Sequence, residues 1–229
     1  KKILCLIIMN NNIHIISHRG ASGYCIDNSY ESINRAVDIG SKIIEIDIRL
    51  TKDLKLVLSH GEKYLIGKRY KKIANTLLSK LDNIPELNKI LLTTPEQIIF
   101  YLDIKCEDNE IIFIKQINAI LHKYPNRVFY IASFSHKFIS LFTSSCTNYR
   151  SGIIFKLFNS VIYDNLKHKV DFIVTEISQT DEFKSFLKIK NKTKYLYTIN
   201  NLSLIDNYIN DIDGIITDYP DIMLLNQYL

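Results

Sequence analysis

Seven residues able to move protons, hold a cation or grip an anion fall at or just beyond the ends of apolar runs in the first half of the chain: His18, Arg19, Glu45, Asp47, His60, Asp103 and Lys105. Glu45 and Asp47 are set two apart in the run IIEIDIRL. In a strand, residues two apart share a face, so the two carboxylates converge on one spot. Burying them unpaired is costly, and a hard divalent cation, Mg2+ or Ca2+, offsets that cost. A salt-bridged pair with Arg49 or Lys52 is the other reading, and the two carboxylates alone leave both open. The segment FYLDIKC repeats the spacing with Asp103 and Lys105, so Asp103 can complete a metal site while Lys105 meets a phosphate oxygen. His18 ends one apolar run in SHRG, and His60 follows a short extended run in VLSHG. Either histidine alone reads as structural or solvated. The joint placement of two histidines, three acids, an Arg and a Lys points to function.

Such residues need a scaffold that brings strand ends together. Apolar runs separated by turn and capping residues predict eight strands, at residues 13–17, 42–50, 98–104, 127–132, 149–154, 172–174, 194–198 and 214–216. Leu54 to Leu58 reads as a short extension of the second strand. Helices are expected at residues 29–39, capped by Asn28 or Ser29 and ended by Gly40, and at 84–91, 109–123, 137–143, 161–168, 181–187, 202–210 and 220–228. Short, nearly all-apolar strands alternating with helices indicate a single-domain α/β TIM (β/α)8 barrel, with a doubly wound open sheet as the runner-up. On a barrel, the carboxyl ends of the strands form the active-site face, which is where these polar residues fall.

Composition narrows the class further. The chain has 229 residues, 47% of them hydrophobic and 23% charged, with 7 Gly and 4 Pro, which describes one globular domain and not a disordered or fibrous chain. The net charge of +5 comes from 29 basic and 24 acidic residues that read as evenly spread, so nucleic acid is not an expected partner. Cys5, Cys25, Cys106 and Cys146 show no metal-site spacing and are read as reduced thiols, for which a cytoplasmic location is the expectation. Residues 1–12 form a lead ahead of a barrel domain at 13–229. The lead opens with KKILCLIIM, which imitates a secretory signal without a cleavage site, and Met9 is an alternative start. Export is the alternative location, and stable membrane insertion is not expected.

The segments HRGASGY, DNSYES, EIDIRLTKDLKLVLSH, LDIK, YTIN and DGIITDYPD resemble, in order, the motifs of the glycerophosphodiester phosphodiesterase family. They run from residue 17 to 221, and the opening HRG combined with ExD, TKD and the second His is the specific part. The resemblance implies a TIM barrel, a divalent cation and hydrolysis of a small glycerophosphodiester to glycerol 3-phosphate and an alcohol. It implies His18 and His60 as the acid-base pair, Glu45, Asp47 and Asp103 as metal ligands, and Arg19 and Lys105 as phosphate contacts. Asn28 would help shape the substrate site. This chain departs from the family pattern at Ile26–Ser29, where Pro-Glu-Asn-Thr is usual, at Gly61 in place of Asp, and at Asp103 in place of Glu. The stretch from Gly61 to Pro85 reads as a shortened form of the family's substrate-covering insertion.

Two rival readings remain at this level. One is phospholipase D-like hydrolysis of lysophospholipids by a related barrel, and the other is a silent barrel that only binds phosphodiesters. No apolar surface loop stands out in the sequence to hold an acyl chain, so loose leaving-group choice with little turnover of lysophospholipids is expected. His14, His122, His136 and His168 are assigned no role. Phe134 is read as core before pocket lining, and the many tyrosines as a cover for the barrel surface.

Overall fold

The computed structural model describes residues 13–226. The N-terminal lead, with its apolar run, Cys5 and Met9, and the end of the last predicted helix lie outside the described residues. The elements in chain order are β1 His14–Ser17, α1 Tyr30–Ile39, β2 Ile43–Leu50, β3 Leu56–Leu58, β4 Lys63–Ile66, β5 Arg69–Lys72, α2 Leu87–Thr93, β6 Ile99–Ile104, α3 Glu110–Leu121, β7 Phe129–Ser133, α4 His136–Ser145, β8 Arg150–Phe155, α5 Ser160–Leu166, β9 Phe172–Glu176, α6 Asp181–Leu187, β10 Thr193–Tyr197, β11 Gly214–Thr217 and α7 Pro220–Asn226.

Eight of the strands pair in parallel in the order β1-β11-β10-β9-β8-β7-β6-β2, and β2 returns to β1 to close the ring. Closure is carried by the registers Ile16↔Ile43 and Ser17↔Ile44 on one side of β1 and His14↔Gly214 through Ser17↔Thr217 on the other. The expected TIM barrel is therefore present, and the open sheet is ruled out by the β1 to β2 pairing.

The strands run apolar because both faces are covered. Inward, Ile16, Tyr101, Phe172, Val174 and Tyr195 fill the barrel. Outward, Ile33, Ala36, Ile117, Phe138, Phe142 and Phe186 join helices to strands in the larger core. Gly152 illustrates how tightly the interior is filled: a Cβ there would lie 2.1 Å from the Phe172 ring, so only glycine admits that ring. Helix α1 starts at Ser29, whose side chain accepts from the Ser32 N–H while Ser32 bonds back, and it ends at Gly40 with φ 93°.

Three expectations are corrected, and one pair of strands is new. Residues 54–58 do not extend the second strand: the chain reverses through Lys52 to Leu54, where Leu54 has φ 60°, and β3 pairs antiparallel to β2. The apolar spacing is the same for either outcome, and only the turn distinguishes them. Residues 202–210 form a short 3-10 turn at Leu202–Leu204 and further turns in place of a helix. The N–H groups of Ile205, Tyr208 and Asp211 each bond the carbonyl three residues back, which still buries Ile205, Ile209 and Ile212. Tyr101 and Tyr195 are fully buried inside the barrel and do not cover its surface. Finally, the stretch after His60 holds the β4–β5 hairpin, which the alternation of charged and apolar residues did not reveal.

Candidate active site

The alternation of β2 sends Glu45 and Asp47 inward at the carboxyl end of the strand, and β6 lies alongside in a register that sets Asp103 opposite Asp47. The three carboxylates are buried, and each offers an oxygen within 4.8 Å of the others. Two cations answer them. Lys105 Nζ lies 2.5 Å from Asp103 Oδ2 and 2.9 Å from Asp47 Oδ1. Arg19 Nε lies 2.9 Å from Asp47 Oδ2 without the alignment of a hydrogen bond, and the Arg19 backbone N–H donates to Glu45 Oε2 at 2.8 Å. The salt-bridge partners are thus Arg19 and Lys105. Arg49 instead donates to the His60 carbonyl and to Glu107, which ties the loop carrying His60 to β2.

The charge is not balanced by these pairs. Two cations face three carboxylates, and the surplus shows in the acidities: burial, followed by the charges of Asp47 and Asp103, pushes Glu45 well above the usual carboxylate range. Burial likewise raises Asp103, to about 6, against the pull of Lys105. Asp47 is pushed up by burial but held low by Lys105 and Arg19. Asp103 Oδ1 is buried with no hydrogen-bond partner. A surplus negative charge, an orphaned oxygen and an all-carboxylate donor set together fit a hard divalent cation.

The turn after β1 is shaped for its task. Arg19 has φ 53° and Gly20 φ 82°, and a Cβ on Gly20 would come within 2.5 Å of the Ser32 backbone, so the HRG turn packs directly on α1. Asn28 does not line the main cavity. Its amide donates to Asp47 Oδ2 at 2.8 Å and its carbonyl oxygen accepts from the Asp47 N–H at 3.0 Å, so it fixes the orientation of that carboxylate.

The cavity itself has a volume of about 410 Å3 and gathers His18, Arg19, Glu45, Asp47, His60, Asp103 and Lys105 on one side. His18 Nδ1 is bound to Asp218 Oδ1 at 2.6 Å. Asp218 in turn accepts from Ser22 and from Asn200, and its own N–H is held by the Asn200 side chain. Burial acts to raise the Asp218 pKa, but the hydrogen bonds from His18, Asn200 and Ser22 win and hold it far below the usual range. Burial also lowers the His60 imidazole, leaving it neutral more readily than a free histidine.

The opposite wall is formed by Glu176 and Tyr197, which end β9 and β10, and by Lys156, just past β8; Tyr197 lies in the YTIN segment, whereas Lys156 and Glu176 were invisible in the sequence. The Tyr197 hydroxyl donates to the Phe155 carbonyl, and burial together with the neighbouring Glu176 raises it strongly. Phe134 lines the cavity instead of the core: it is 43% exposed, and Lys105 Nζ lies 5.0 Å from its ring centroid. Asp218 was within a motif that resembled the family's closing turn, so its strand-end position was the available signal. Lone strand-end residues such as Glu176 offered none.

Comparison with known proteins agrees with this geometry. The profile of the Glycerophosphoryl diester phosphodiesterase family matches residues 18–65, the stretch from the first to just past the second site histidine. Over 93% of this chain and 97% of its own length, "Putative glycerophosphodiester phosphodiesterase YhdW" of Bacillus subtilis is 26% identical. A human lysophospholipase D is 28% identical over 48% of this chain and 41% of its own length. The fold of an Oleispira antarctica phosphodiesterase, solved with the product sn-glycerol-3-phosphate, matches with a TM-score of 0.83 at 22% identity, covering 94% of this chain and 97% of that one. A Thermotoga maritima glycerophosphodiester phosphodiesterase matches with a TM-score of 0.75 at 20% identity, over 94% of this chain and 98% of that one. The matched stretch carries His18, Glu45, Asp47 and His60, and with a relative aligned along nearly its whole length the chain is similar to glycerophosphoryl diester phosphodiesterases in the segment that builds the site, on a barrel that the solved structures share.

Proposed function

We propose that this phosphoric diester hydrolase cleaves glycerophosphodiesters to glycerol 3-phosphate and an alcohol, with a divalent cation held by Glu45, Asp47 and Asp103 and proton transfer by His18 and His60. The observation that carries the reading is the convergence of three buried carboxylates, two cations and two histidines on one cavity at the barrel's carboxyl rim. A bound cation would supply Lewis-acid stabilisation of charge on the phosphoryl oxygens.

The chain's own residues account for the rest. Arg19 and Lys105 stand beside the carboxylates and can each turn a donor to a phosphate oxygen, neutralising charge as the phosphorus centre becomes more crowded. His18 takes the nucleophile's proton, because Asp218 on Nδ1 fixes the ring with Nε2 as the acceptor and stabilises the imidazolium that forms. His60 delivers a proton to the departing oxygen. Asn28 holds Asp47 in place for either state of the site.

The test is hydrolysis of glycerophosphocholine by the purified chain, with glycerol 3-phosphate identified as product. Chelation should abolish turnover, and added Mg2+ or Ca2+ should restore it. Glu45→Ala and Asp47→Ala should each weaken cation binding in a titration, whereas a change at His122 should not. Full activity in excess chelator would sink the metal assignment, and a cation-loaded, folded chain inactive on every phosphodiester would favour the binding-only reading.

A further inference from the structure

The even spread of charge read from the sequence has local exceptions, and one of them sits on the rim of the active site. From Lys63 to Leu81 there are six basic residues and no acid. Most belong to the β4–β5 hairpin, which starts three residues after His60. Lys72 and Lys63 share the single carboxylate of Glu62, and Lys68 has no carboxylate partner among the described residues, so the bases there outnumber the acid.

The hairpin has one fixed face and one presented face. Tyr64 and Ile66 pack inward on Val57, Ile73, Leu81 and Ile84, and the Tyr64 hydroxyl bonds the Asp82 carbonyl. Alternation sends Leu65 and Tyr70 the other way, where they are direct cross-strand partners, 51% and 70% exposed. Lys63 and Lys72 form a cross-strand pair on the same face, farther from the turn, and Lys68 stands in the turn, whereas Arg69 and Lys71 lie opposite Ile66 and Tyr64 on the anchored side. An anchored hairpin that exposes an aliphatic and a tyrosine amid bases is not explained by folding.

Other rim loops share the character. Ile26, in the loop after β1, is 77% exposed, and Leu157, in the loop after β8, is 60% exposed. Both loops leave the carboxyl ends of barrel strands, so both lie on the cavity face. Bases that attract phosphates could serve a nucleic acid or a lipid surface. Exposed aliphatic side chains such as Leu65, Ile26 and Leu157 gain nothing from a sugar-phosphate chain but are buried by lipid. That distinction selects the lipid surface.

We propose that the β4–β5 hairpin seats the catalytic rim on an anionic phospholipid bilayer, with Lys63, Lys68 and Lys72 at the lipid phosphates and Leu65 and Tyr70 in the headgroup layer. This goes beyond the catalytic reading and does not depend on it. It gives a route by which a membrane-resident phosphodiester could reach the cavity.

The test is co-sedimentation of the full chain with phosphatidylcholine vesicles, with and without phosphatidylglycerol. Binding is expected only to the anionic vesicles. Replacing Lys63, Lys68 and Lys72 together by alanine should lower the partition coefficient by about tenfold or more, as each basic side chain near such a surface contributes severalfold. Leu65→Ser with Tyr70→Ser should lower it severalfold at unchanged charge. Both variants should keep the thermal midpoint and the turnover of soluble glycerophosphocholine, since neither touches the cavity. Absence of partitioning, equal binding to neutral vesicles, variants that bind like the parent, or an oligonucleotide that binds more tightly than the vesicles at the same salt would each overturn the proposal. Vesicle binding is read without catalysis, so its outcome is separate from that of the hydrolysis assay.

Discussion

The two halves of the barrel do different work. The first, from β1 to β6, brings in every carboxylate of the candidate metal site and both cations that face them, at the ends of only three strands. The second, from β7 to β11, contributes a wall of Phe134, Lys156, Glu176 and Tyr197 and one carboxylate, Asp218, that reaches back to His18. The first half carries a charge surplus, which shows in the raised Glu45 and Asp103. The second half spends most of its inward side chains on packing, with Phe172 and Tyr195 fully buried. The contrast suggests that chemistry is concentrated in one half while shape and orientation come from the other.

Substitutions can break or sharpen that division. The largest effect is expected from His18→Ala and His60→Ala, each lowering kcat by roughly 100- to 10,000-fold with the fold intact by circular dichroism. The double variant should be little worse than the more damaged single one, because residues acting as a unit are not additive. Near-normal turnover by either would move that histidine to a structural role and leave the first half without its acid-base pair.

Asp218→Asn comes next and tests whether the second half takes part in catalysis or only supports it. The amide can still meet His18 but cannot stabilise an imidazolium, so kcat should fall by about 10- to 100-fold with KM little changed. A purely structural role would instead lower the thermal midpoint and leave the pH profile of kcat where it was. Phe134→Ala should do less: it removes an exposed wall ring and its contact with Lys105, so a severalfold rise in KM is expected, with kcat nearly preserved. An equal fall in kcat and kcat/KM would show that the wall acts in the transition state.

The smallest effect is on stability in acid. Asp218 has a folded pKa below the unfolded value of about 3.9, so its ionised form stabilises the native state above that pH and the contribution is lost as pH falls through the folded value. The stability advantage of the parent over Asp218→Asn, measured by urea unfolding, should therefore shrink as pH is lowered below about 4. A difference independent of pH would mean that shape, not charge, holds the two halves together at this point.

The charged half was the legible one. Two-residue spacing on a strand needs no knowledge of the fold, so Glu45 with Asp47, and Asp103 with Lys105, could be grouped from periodicity alone, and eight apolar runs gave the barrel. The turn chemistry around Ser29 and Gly40 was readable for the same reason: caps act over a few residues. What the sequence left open required partners far along the chain. His18 and Asp218 are 200 residues apart and meet only because β1 and β11 are neighbours in the closed ring. Asn28 was a loop residue until the fold put both ends of its amide on Asp47. Residues 54–58 kept their apolar spacing whether the chain ran on or turned back, and the tyrosines of the interior were indistinguishable from surface ones until Gly152 made room for Phe172 beside them. Local periodicity fixes which way a side chain points relative to its own strand, and that much this sequence determined. Which strand lies opposite, and so which charges are paired, which are orphaned and which apolar residues stay in water, is set by ring closure and packing, which only the tertiary structure decided.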